Sequence, residues 1–494
     1  MSNSPLTASI HVLDDDCHIS VFSLYRPFIF GEDDGEDDRF SGGEGRWIRG
    51  RWWYKLAHVC QRWRNVVLGS AAYLGVSLVC AEGTPVADML AHSPPLPLTI
   101  DYSDEDEFTA EDESGAILAL KQYNRVLHVR LLMPITILQK LIVVMDEEYP
   151  ILEYLIIMHL AEDKTAILMF PETLRAPHLR HLALMGIALP IGSRLLVSAV
   201  ELVTLCLGMI YPSTYFHANT LLRWLSFMPQ LETLGIVFLF IVPNRDVERQ
   251  LTHTSTMVPI ILPNLTFFRF RGVKTYLETL VHRLTAPRLE MLRVDFFNQL
   301  TFSLPRLLQF ADTSYNTDNF MFDCVKFKFS NEDVNVEMCL LAEAKTHVLK
   351  HALSIIVNCC HLDWQVSSAA QISNLLSPMF SAVEHLTLEY RVHDQSSEEH
   401  NEVGRTEWHK LFSSLSNVKT LDIADGLVEE LSHCLELDDG ELPLEVLPEL
   451  QELTYFVSDS SSAAFTSFVD GRQNAGHSIS LVRRDSNSNL GWSR

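Results

Sequence analysis

A six-residue pattern, apolar-x-x-apolar-x-apolar, recurs along most of this 494-residue chain, and it limits the possible folds more than any other feature. Apart from one wider gap, successive copies of this hexad begin roughly 23 to 35 residues apart, a spacing typical of a repeat array. A weaker copy, Leu353-Ile356, lies in that gap. The eleven clear copies are Val126-Val129-Leu131, Leu152-Leu155-Ile157, Leu179-Leu182-Leu184, Leu202-Leu205-Leu207, Leu231-Leu234-Ile236, Leu265-Phe268-Phe270, Leu289-Leu292-Val294, Phe322-Val325-Phe327, Val383-Leu386-Leu388, Val418-Leu421-Ile423 and Leu450-Leu453-Tyr455.

Several hexads share a Pro-x-Leu lead-in, as at Pro177 and Pro287. Proline suits the position just before a strand, where no ladder donor is needed yet. Helix-like segments lie between hexads, for example 218–227, 276–284 and 408–415. One such unit cannot bury its apolar side alone, so neighbouring units must stack. The pattern therefore predicts an α/β fold, an irregular leucine-rich-repeat solenoid with a curved parallel sheet and helices on its convex side.

The composition narrows the class of partner and the compartment. A net charge of −25 disfavours nucleic acid and anionic membrane surfaces, because both attract basic proteins. The N-terminus has no signal-peptide pattern, and the longest apolar run, 234–242, is too short to span a bilayer. Nine cysteines without a C-x-x-C pair indicate reduced thiols. We therefore expect a cytoplasmic or nuclear protein with no nucleic-acid or membrane partner.

The first 80 residues are predicted to form a helical module. The segment 13–28 begins with three aspartates, which suit the positive end of a helix. Residues 31–45 are acidic and glycine-rich, and this predicts an inserted loop. The segment 51–70 predicts one amphipathic helix, with Leu56, Val59, Cys60, Trp63, Val66 and Val67 on a shared face.

The remaining segments complete a four-part organisation. Residues 81–122 are predicted to link the module to the array, with a helix starting at Thr84-Pro85, a strand at 99–102 and a solvated acidic loop at 104–113. The repeat array covers 123–458. Residues 459–494 are predicted to form a C-terminal cap, with a helix at 463–469 and a strand at 479–483, followed by a disordered tail.

The stretch Trp52 to Ser70 resembles the second half of an F-box. It is especially similar to the F-box/leucine-rich-repeat proteins that mushroom-forming fungi carry in many copies, and the phrase His361 to Ser368 is similar to the same group. The first half of the motif matches at Leu13, Asp16, Val21 and Phe22. It departs from the family pattern in two places, since Asp14 replaces a proline and His18 replaces a leucine.

The resemblance implies that residues 1–80 are an F-box-like module that binds the Skp adaptor of an SCF-type, cullin-based ubiquitin ligase. Carried over by position, the adaptor-facing or module-core residues are Leu13, Val21, Phe22, Leu56, Val59, Cys60 and Trp63. The chain would then be a substrate-recognition subunit, with a protein target on the repeat surface. The alternative is a scaffold protein whose degenerate F-box packs only against the first repeat.

Side chains alternate across a strand, so the positions just before the second and third apolar hexad residues share the opposite face of the sheet. On three successive hexads these positions are Phe267 and Arg269, Met291 and Arg293, and Cys324 and Lys326. Stacked strands would align the three cations in a basic column that receives an acidic or phosphorylated partner segment. The alternative is a solvated face that neighbouring acids neutralise.

No pattern in the sequence indicates catalysis. Nucleophile-elbow, phosphate-loop, zinc-protease and dinucleotide-binding motifs are absent from the sequence. The acidic runs lack calcium-loop spacing, and Cys359-Cys360-His361 has no second ligand pair nearby. We therefore expect a non-enzymatic protein without catalytic residues, a metal site or a cofactor.

Overall fold

A computed structural model describes residues 13–25, 52–103, 108–159, 168–239, 259–297, 302–315, 322–341, 352–391, 404–436, 445–457 and 464–485. The architecture is mixed α/β, and nearly all strand pairs are parallel. The chain forms two compact units, the first made of Met1–Tyr215 and Trp224–Leu231 and the second of Phe216–Arg223 and Glu232–Arg494. The four-part organisation inferred from the sequence remains a prediction.

Unit 1 combines a helical N-terminus with a parallel sheet in the order β1-β2-β3-β4-β6-β8, and β5 pairs with β7 in a short separate ladder. Its helices are α1 (Asp15–Ser23), α2 (Trp52–Ala57), α3 (Gln61–Gly69), α4 (Ala71–Leu74), α5 (Val86–His92), α6 (Ala110–Leu120), α7 (Ile135–Val144) and α8 (Arg194–Ser198), with a 3₁₀ turn at Pro212–Thr214. Its strands are β1 (Leu78–Cys80), β2 (Leu98–Tyr102), β3 (Val126–Met133), β4 (Tyr154–His159), β5 (Leu168–Met169), β6 (His181–Met185), β7 (Ile187–Ala188) and β8 (Thr204–Ile210).

Unit 2 has the strand order β9-β11-β13-β16-β15-β14-β17-β18-β19-β20, with β10 and β12 paired separately. Its strands are β9 (Thr233–Phe238), β10 (Ile260–Ile261), β11 (Phe267–Gly272), β12 (Leu284–Thr285), β13 (Met291–Phe296), β14 (Cys324–Ser330), β15 (Asp333–Cys339), β16 (Ala352–Asn358), β17 (His385–Arg391), β18 (Thr420–Ile423), β19 (Glu452–Val457) and β20 (Ser480–Asp485). The helices, starting with one that crosses the division between units, are α9 (Ala218–Leu225), α10 (Lys274–Val281), α11 (Pro305–Tyr315), α12 (Leu362–Leu376), α13 (Arg405–Ser413), α14 (Val428–Cys434) and α15 (Thr466–Asn474), with 3₁₀ turns at Met379–Ala382 and Asp425–Leu427.

The hexads form strands, and within each unit their apolar residues lie in register. Leu182 is paired with Leu155 on one side and Leu205 on the other in unit 1. In unit 2, Phe268 is paired with Leu234 and Leu292 in the same way. All six side chains are fully buried. Parallel pairing aligns equivalent hexad positions, so the predictions of strands and of parallel stacking are confirmed.

Each sheet thus has two faces, which we name by their residues. The hexad face carries the second and third apolar residues of the hexads, and in unit 2 helices pack on it. Tyr276 of α10 lies 5.8 Å from Phe270 between ring centroids, and Trp408 of α13 lies 5.6 Å from Phe329. The variable face carries the alternate residues, whose chemistry the hexad does not specify.

Strand β14 departs from the expected order. The sequence places it beside β13, but β16 occupies that place, and β15 runs antiparallel between β16 and β14. Chain reversal at Asn331 and Glu332 returns β15 along β14, so the weak hexad of β16 becomes the parallel neighbour of β13. The prediction of three successive parallel strands was therefore wrong at the third.

The segment 51–70 forms two helices, α2 and α3, and the prediction of one continuous helix was wrong. Cys60 has extended backbone angles, φ −160° and ψ 169°, and its Sγ accepts a hydrogen bond from the Trp63 amide at 3.5 Å. Cysteine here serves as the N-cap of α3. Because the chain turns before Cys60, Val59 is 58% exposed rather than on the buried face.

The prediction of a solvated loop at 104–113 was also wrong, because the described part of this run includes the start of helix α6. Thr109 and Asp112 form a capping box, in which each side chain bonds to the other's backbone amide. The carboxylates of 111–113 therefore form the first turn of α6, where the helix dipole stabilises them. Asp112 also accepts a hydrogen bond from the Gly83 amide at 2.8 Å.

The other boundaries lie close to those expected. Helix α5 begins at Val86, with Pro85 rather than Thr84 at the cap, and the strand expected at 99–102 occupies Leu98–Tyr102. The C-terminal helix begins three residues late, at Thr466, and β20 pairs in parallel with β19. The acidic loop 31–45 and the tail beyond 485 lie outside the described residues. In the part of the chain that is described, no helix has the length and apolar character needed to cross a bilayer.

Candidate functional site

Three aromatic rings join α1 to α3 in the N-terminal module. The Phe22 and Trp63 ring centroids lie 4.9 Å apart in an edge-to-face arrangement, and His18 lies 5.8 Å from Phe22 and 5.9 Å from Trp63. Arg62, also on α3, donates to the Asp15 carboxylate at 2.9 Å and to the Leu13 carbonyl at 2.6 Å. These contacts make the F-box-like segment a packed helical pair.

The two departures from the F-box pattern have local structural roles. Asp14 is the N-cap of α1, and its carboxylate accepts from the Cys17 amide at 2.7 Å. That backbone hydrogen bond holds the pKa of the exposed Asp14 carboxyl below its ordinary value. His18 is 1% exposed, and its Nδ1 donates to the Asp14 carbonyl at 2.8 Å. Among the described residues, its Nε2 has no hydrogen-bond partner.

The seven residues carried over from the F-box fall into different environments. Phe22 and Leu56 are buried, and Cys60 and Trp63 are half-buried, so these four form the interior of the module. Three are exposed and can contact a partner directly, namely Leu13 at 39%, Val21 at 38% and Val59 at 58%. Whether any of them binds an adaptor remains a prediction.

Sequence reasoning missed other residues of the module. Leu24 and Tyr25, at the end of α1, are 84% and 65% exposed, and Tyr73 of α4 is 69% exposed. Trp53, in contrast, is buried and has a structural role. Its Nε1–H donates a hydrogen bond of 3.1 Å to the Ser77 carbonyl, just before β1. A large exposed side chain on a short helix gives no signal in an apolar-spacing analysis, which is why these positions were not found.

The second candidate surface is the variable face of unit 2 around β11 and β13. Arg269 and Arg293 are direct register partners, and Arg271 is the register partner of Asp295. One Asp295 carboxylate oxygen lies 3.6 Å from Arg269 Nη2, and the other lies 3.6 Å from Arg293 Nε. Burial raises the pKa of Asp295 and the three arginines lower it, with a net upward shift. We call these four residues the arginine cluster.

The remaining residues of the predicted basic column lie elsewhere. Lys326 is not beside Arg293, because β16 and β15 intervene, and its register partners are Glu337 and Thr387. The prediction of one column of three cations was therefore wrong, and only Arg269 and Arg293 are adjacent. Phe267 and Met291 are register partners on this face but are 5% and 7% exposed, so little of either side chain is accessible to a partner.

Acidic residues neutralise the middle of the same face. Lys328 Nζ lies 2.6 Å from Glu337 Oε2, and the Glu337 side chain is 5% exposed. Glu389 pairs with Lys328 across the parallel ladder. The alternative of a neutralised face therefore describes β14 and β15.

The variable face of unit 1 has a different character. Its central register row is Thr99, His128, Tyr154, His181 and Thr204. The rings of Tyr154 and His181 stack at 4.2 Å, and His181 Nδ1 lies 3.1 Å from Thr204 Oγ1. Burial, assisted by Arg180, lowers the pKa of His181 to about 4. The hexad pattern identifies these positions, but sequence reasoning applied it only to unit 2.

One buried ion pair lies beside this row. Asp101 and Arg130 are register partners, with Oδ1 and Nη1 3.7 Å apart, and both side chains are under 10% exposed. Burial raises the pKa of Asp101 to about 6, because at this distance Arg130 offsets only part of the desolvation.

The described residues contain no group of three or more histidines, cysteines, aspartates or glutamates that could hold a metal ion. A comparison with protein-family models finds no match for this chain, and a comparison with curated proteins finds none either.

Proposed function

We propose that this chain is a target-recognition subunit of an SCF-type ubiquitin ligase. The N-terminal helices would bind the Skp adaptor, and the variable face of a leucine-rich-repeat array would capture a protein target. The observation that supports this proposal most directly is the register of the hexads within each unit. In unit 1, for example, Leu155, Leu182 and Leu205 align across three parallel strands. Aligned strands of this kind support a repeat array, and arrays of stacked repeats present extended binding surfaces.

The N-terminal module supports the adaptor half of the proposal. Its helices are joined by the Phe22–Trp63 contact, while Val21 and Val59 are left at the surface. A packed core with exposed aliphatic side chains is the arrangement that a helical docking module needs. The F-box resemblance of residues 52–70 supplies the identity of the partner.

The mechanism would be one of proximity. A receptor that binds the adaptor and the target at once raises the effective concentration of the target near the ligase, while other subunits carry out ubiquitin transfer. This function requires no cofactor and no catalytic residue in this chain.

Adaptor binding is tested by isothermal titration of the full chain with a purified Skp-type adaptor. Val59→Asp introduces a charge at a 58% exposed position, so we expect the affinity to fall about tenfold or more without a change in thermal stability. Val21→Asp should act in the same direction. Val143→Asp is the matched control, because Val143 lies on α7 and is 70% exposed.

Trp63 is a less suitable probe, because its ring packs on Phe22 and His18 and truncation would loosen the module. Equal adaptor affinities for the wild type, Val59→Asp and Val143→Asp would contradict the prediction that Val59 lies on the docking surface. Failure of the wild type to bind the adaptor at all would reject the ligase assignment.

One observation favours a second candidate, a repeat scaffold without ligase function. Trp53 is buried and bonds to Ser77 next to β1, so the helical segment also serves as a cap on the first strand of the sheet. A scaffold predicts that Trp53→Phe destabilises unit 1 and that no variant of the exposed module residues changes any binding.

A further inference from the structure

Asp101 and Arg130 are register partners on the variable face of unit 1, and their side chains are only 4% and 9% exposed. Arg130 Nη1 lies 3.7 Å from Asp101 Oδ1, a distance longer than that of a hydrogen bond. Among the residues that the structure describes, Asp101 Oδ1 and Arg130 Nε are buried without a hydrogen-bond partner. Buried polar atoms in folded proteins nearly always have one, so this pair has hydrogen-bonding capacity that the described residues leave unused.

The unused capacity includes both a donor and an acceptor. Arg130 Nε carries an N–H group, and an ionised carboxylate such as that of Asp101 only accepts. The two formal charges cancel, so one member of the pair attracts a charged ligand and the other repels it. Burial raises the pKa of Asp101 to about 6, and a second negative charge beside it would raise that pKa further. A neutral group with one acceptor and one donor therefore suits the pair better than an ion does.

A primary carboxamide is such a group, because it has a carbonyl acceptor and two N–H donors in one plane. Its carbonyl can accept from Arg130 while its N–H donates to Asp101. Since so little of either side chain is exposed, the end of a side chain can reach the pair more readily than an extended backbone can.

The neighbours of the pair suit a side chain with an apolar stem. Ile156 and Ala183 continue the row of Arg130 on the next two strands, at a strand spacing of about 4.7–4.9 Å, and both are half-buried. Ala183 is smaller than His181 and Met185, which precede and follow it on the same face of β6. A side chain that lies over Ile156 and Ala183 would bury its methylene groups there and bring its polar end to Arg130.

We propose that Asp101 and Arg130 bind the carboxamide of a glutamine side chain that a partner protein presents to the variable face of unit 1. Glutamine combines a stem of two methylene groups with a neutral, planar amide, and it therefore matches both the row and the ion pair. The proposal names one side chain of the target, and for the existence of a protein target it rests on the recognition function proposed above. The binding itself can be measured without the adaptor.

The test is nuclear magnetic resonance of the full chain with ¹⁵N at the arginine Nε atoms. The probes are three alanine tripeptides with glutamine, glutamate or methionine in the middle, each blocked by acetyl and N-methylamide groups. Arg130→Lys identifies the signal of Arg130 by removing it. We expect the glutamine peptide to shift this signal and to bind about tenfold or more tightly than the other two, because hydrogen bonds to charged groups are the stronger ones.

The protein variants test the two charges separately. Arg130→Lys preserves the positive charge but removes the Nε donor, so the glutamine peptide should bind about tenfold more weakly. Asp101→Asn removes the negative charge and should reverse the preference, so that the glutamate peptide binds more tightly than the glutamine peptide. Asp88→Asn is the matched control, because Asp88 is exposed on α5 and makes the same charge change. It should leave all three affinities unchanged, and thermal unfolding verifies that each variant is folded.

An Arg130 signal that the glutamine peptide does not shift would reject the site, as would an unchanged preference in Asp101→Asn. Equal affinities for the glutamine and methionine peptides would contradict the amide contact. Tighter binding of the glutamate peptide to the wild type would assign the pair to an anion instead. Tighter binding of free, zwitterionic glutamine than of the blocked peptide would assign it to a free amino acid. If Arg130→Lys does not fold, the affinities of the wild type and Asp101→Asn decide.

None of these outcomes depends on the adaptor. A chain that binds the glutamine peptide but not the adaptor would reject only the ligase assignment. A chain that binds the adaptor but not the peptide would reject only the glutamine site.

Discussion

The variable faces of the two units differ in chemistry although the strands beneath them follow one pattern. In unit 1 the central row is Thr99, His128, Tyr154, His181 and Thr204, and in unit 2 the equivalent row contains Arg269, Arg293, Ser354, Glu337 and Lys326. The first row consists of hydroxyls and stacked rings, the second mainly of charges. The hexad residues on the opposite face are buried in both units.

This difference shows that the hexad residues and the alternate residues of the strands have separate roles. The hexad residues determine that strands form and stack, and they tolerate little besides large apolar side chains. The alternate residues are free of that requirement, so each unit can present a different surface on the same framework. Under the recognition function proposed above, specificity would therefore be encoded at the positions that the repeat pattern does not specify.

The largest loss of stability should come from truncating a hexad residue, and it should be similar in both units because their hexad faces are alike. Phe268→Ala in unit 2 and Leu182→Ala in unit 1 each remove a fully buried side chain aligned between two strands. We expect each to lower the free energy of unfolding by about 3–5 kcal/mol. Denaturant titration of the two variants measures this, and a loss below about 1 kcal/mol in either would mean that its ladder is not packed as described.

The next-largest loss of stability should occur only on the variable face of unit 2, which carries the charged row. Glu337→Gln leaves Lys328 without its 2.6 Å partner on a largely buried part of the sheet. We expect a loss of about 1.5–3 kcal/mol, because a hydrogen bond between two charged groups is removed, while Glu389 remains the register partner of Lys328. The double variant Glu337→Gln/Lys328→Met should recover much of the loss. Additive losses in the double variant would show that the two residues do not interact.

On the variable face of unit 1, Asp101 should make stability depend on pH. Its pKa in the folded protein is about 6, above the ordinary value of 3.8, because of burial. A raised carboxyl pKa gives stability that is present below pH 4 and is lost as pH rises to about 6. Relative to Asp101→Asn, the wild type should lose about 2 kcal/mol over this range. Parallel pH profiles of the two proteins would contradict the assignment.

His181 should also make stability depend on pH over nearly the same pH range, but with the opposite sign and a smaller magnitude. Burial and Arg180 lower its pKa from 6.5 to about 4, so its contribution is present above pH 6.5 and is lost as pH falls toward 4. Since the ring is partly exposed, we expect the wild type to lose about 1–2 kcal/mol relative to His181→Gln. Unfolding titrations at pH 4.5 and 7 measure this. A difference that grows with rising pH would contradict it.

The strands could be predicted from apolar spacing, whereas the break between the helices at 52–57 and 61–69 could not. Every clear hexad became a strand, because alternating burial requires that spacing. The position of β14 could not be predicted, since a hexad specifies a strand but not its neighbour, and the short reversal at Asn331 decides that β15 intervenes. The capping box of Thr109 and Asp112 was readable from the sequence and was overlooked among the acidic residues.

The candidate site was less predictable for a related reason. Arg269 and Arg293 were placed correctly because both belong to well-formed hexads on adjacent strands. Lys326 was misplaced with its strand, and Asp295 and Arg271 were missed because they follow the hexad rather than lie within it. The break at Cys60 exposed Val59, and only the geometry of an extended cysteine cap reveals it.

The central claim is the proposal that the exposed side chains of the N-terminal module bind a Skp-type adaptor. Isothermal titration of the full chain with a purified Skp-type adaptor tests it most directly. We predict that the wild type and Val143→Asp bind with equal affinity and that Val59→Asp binds about tenfold or more weakly. Equal affinities for all three proteins, or a wild type that does not bind, would contradict the claim.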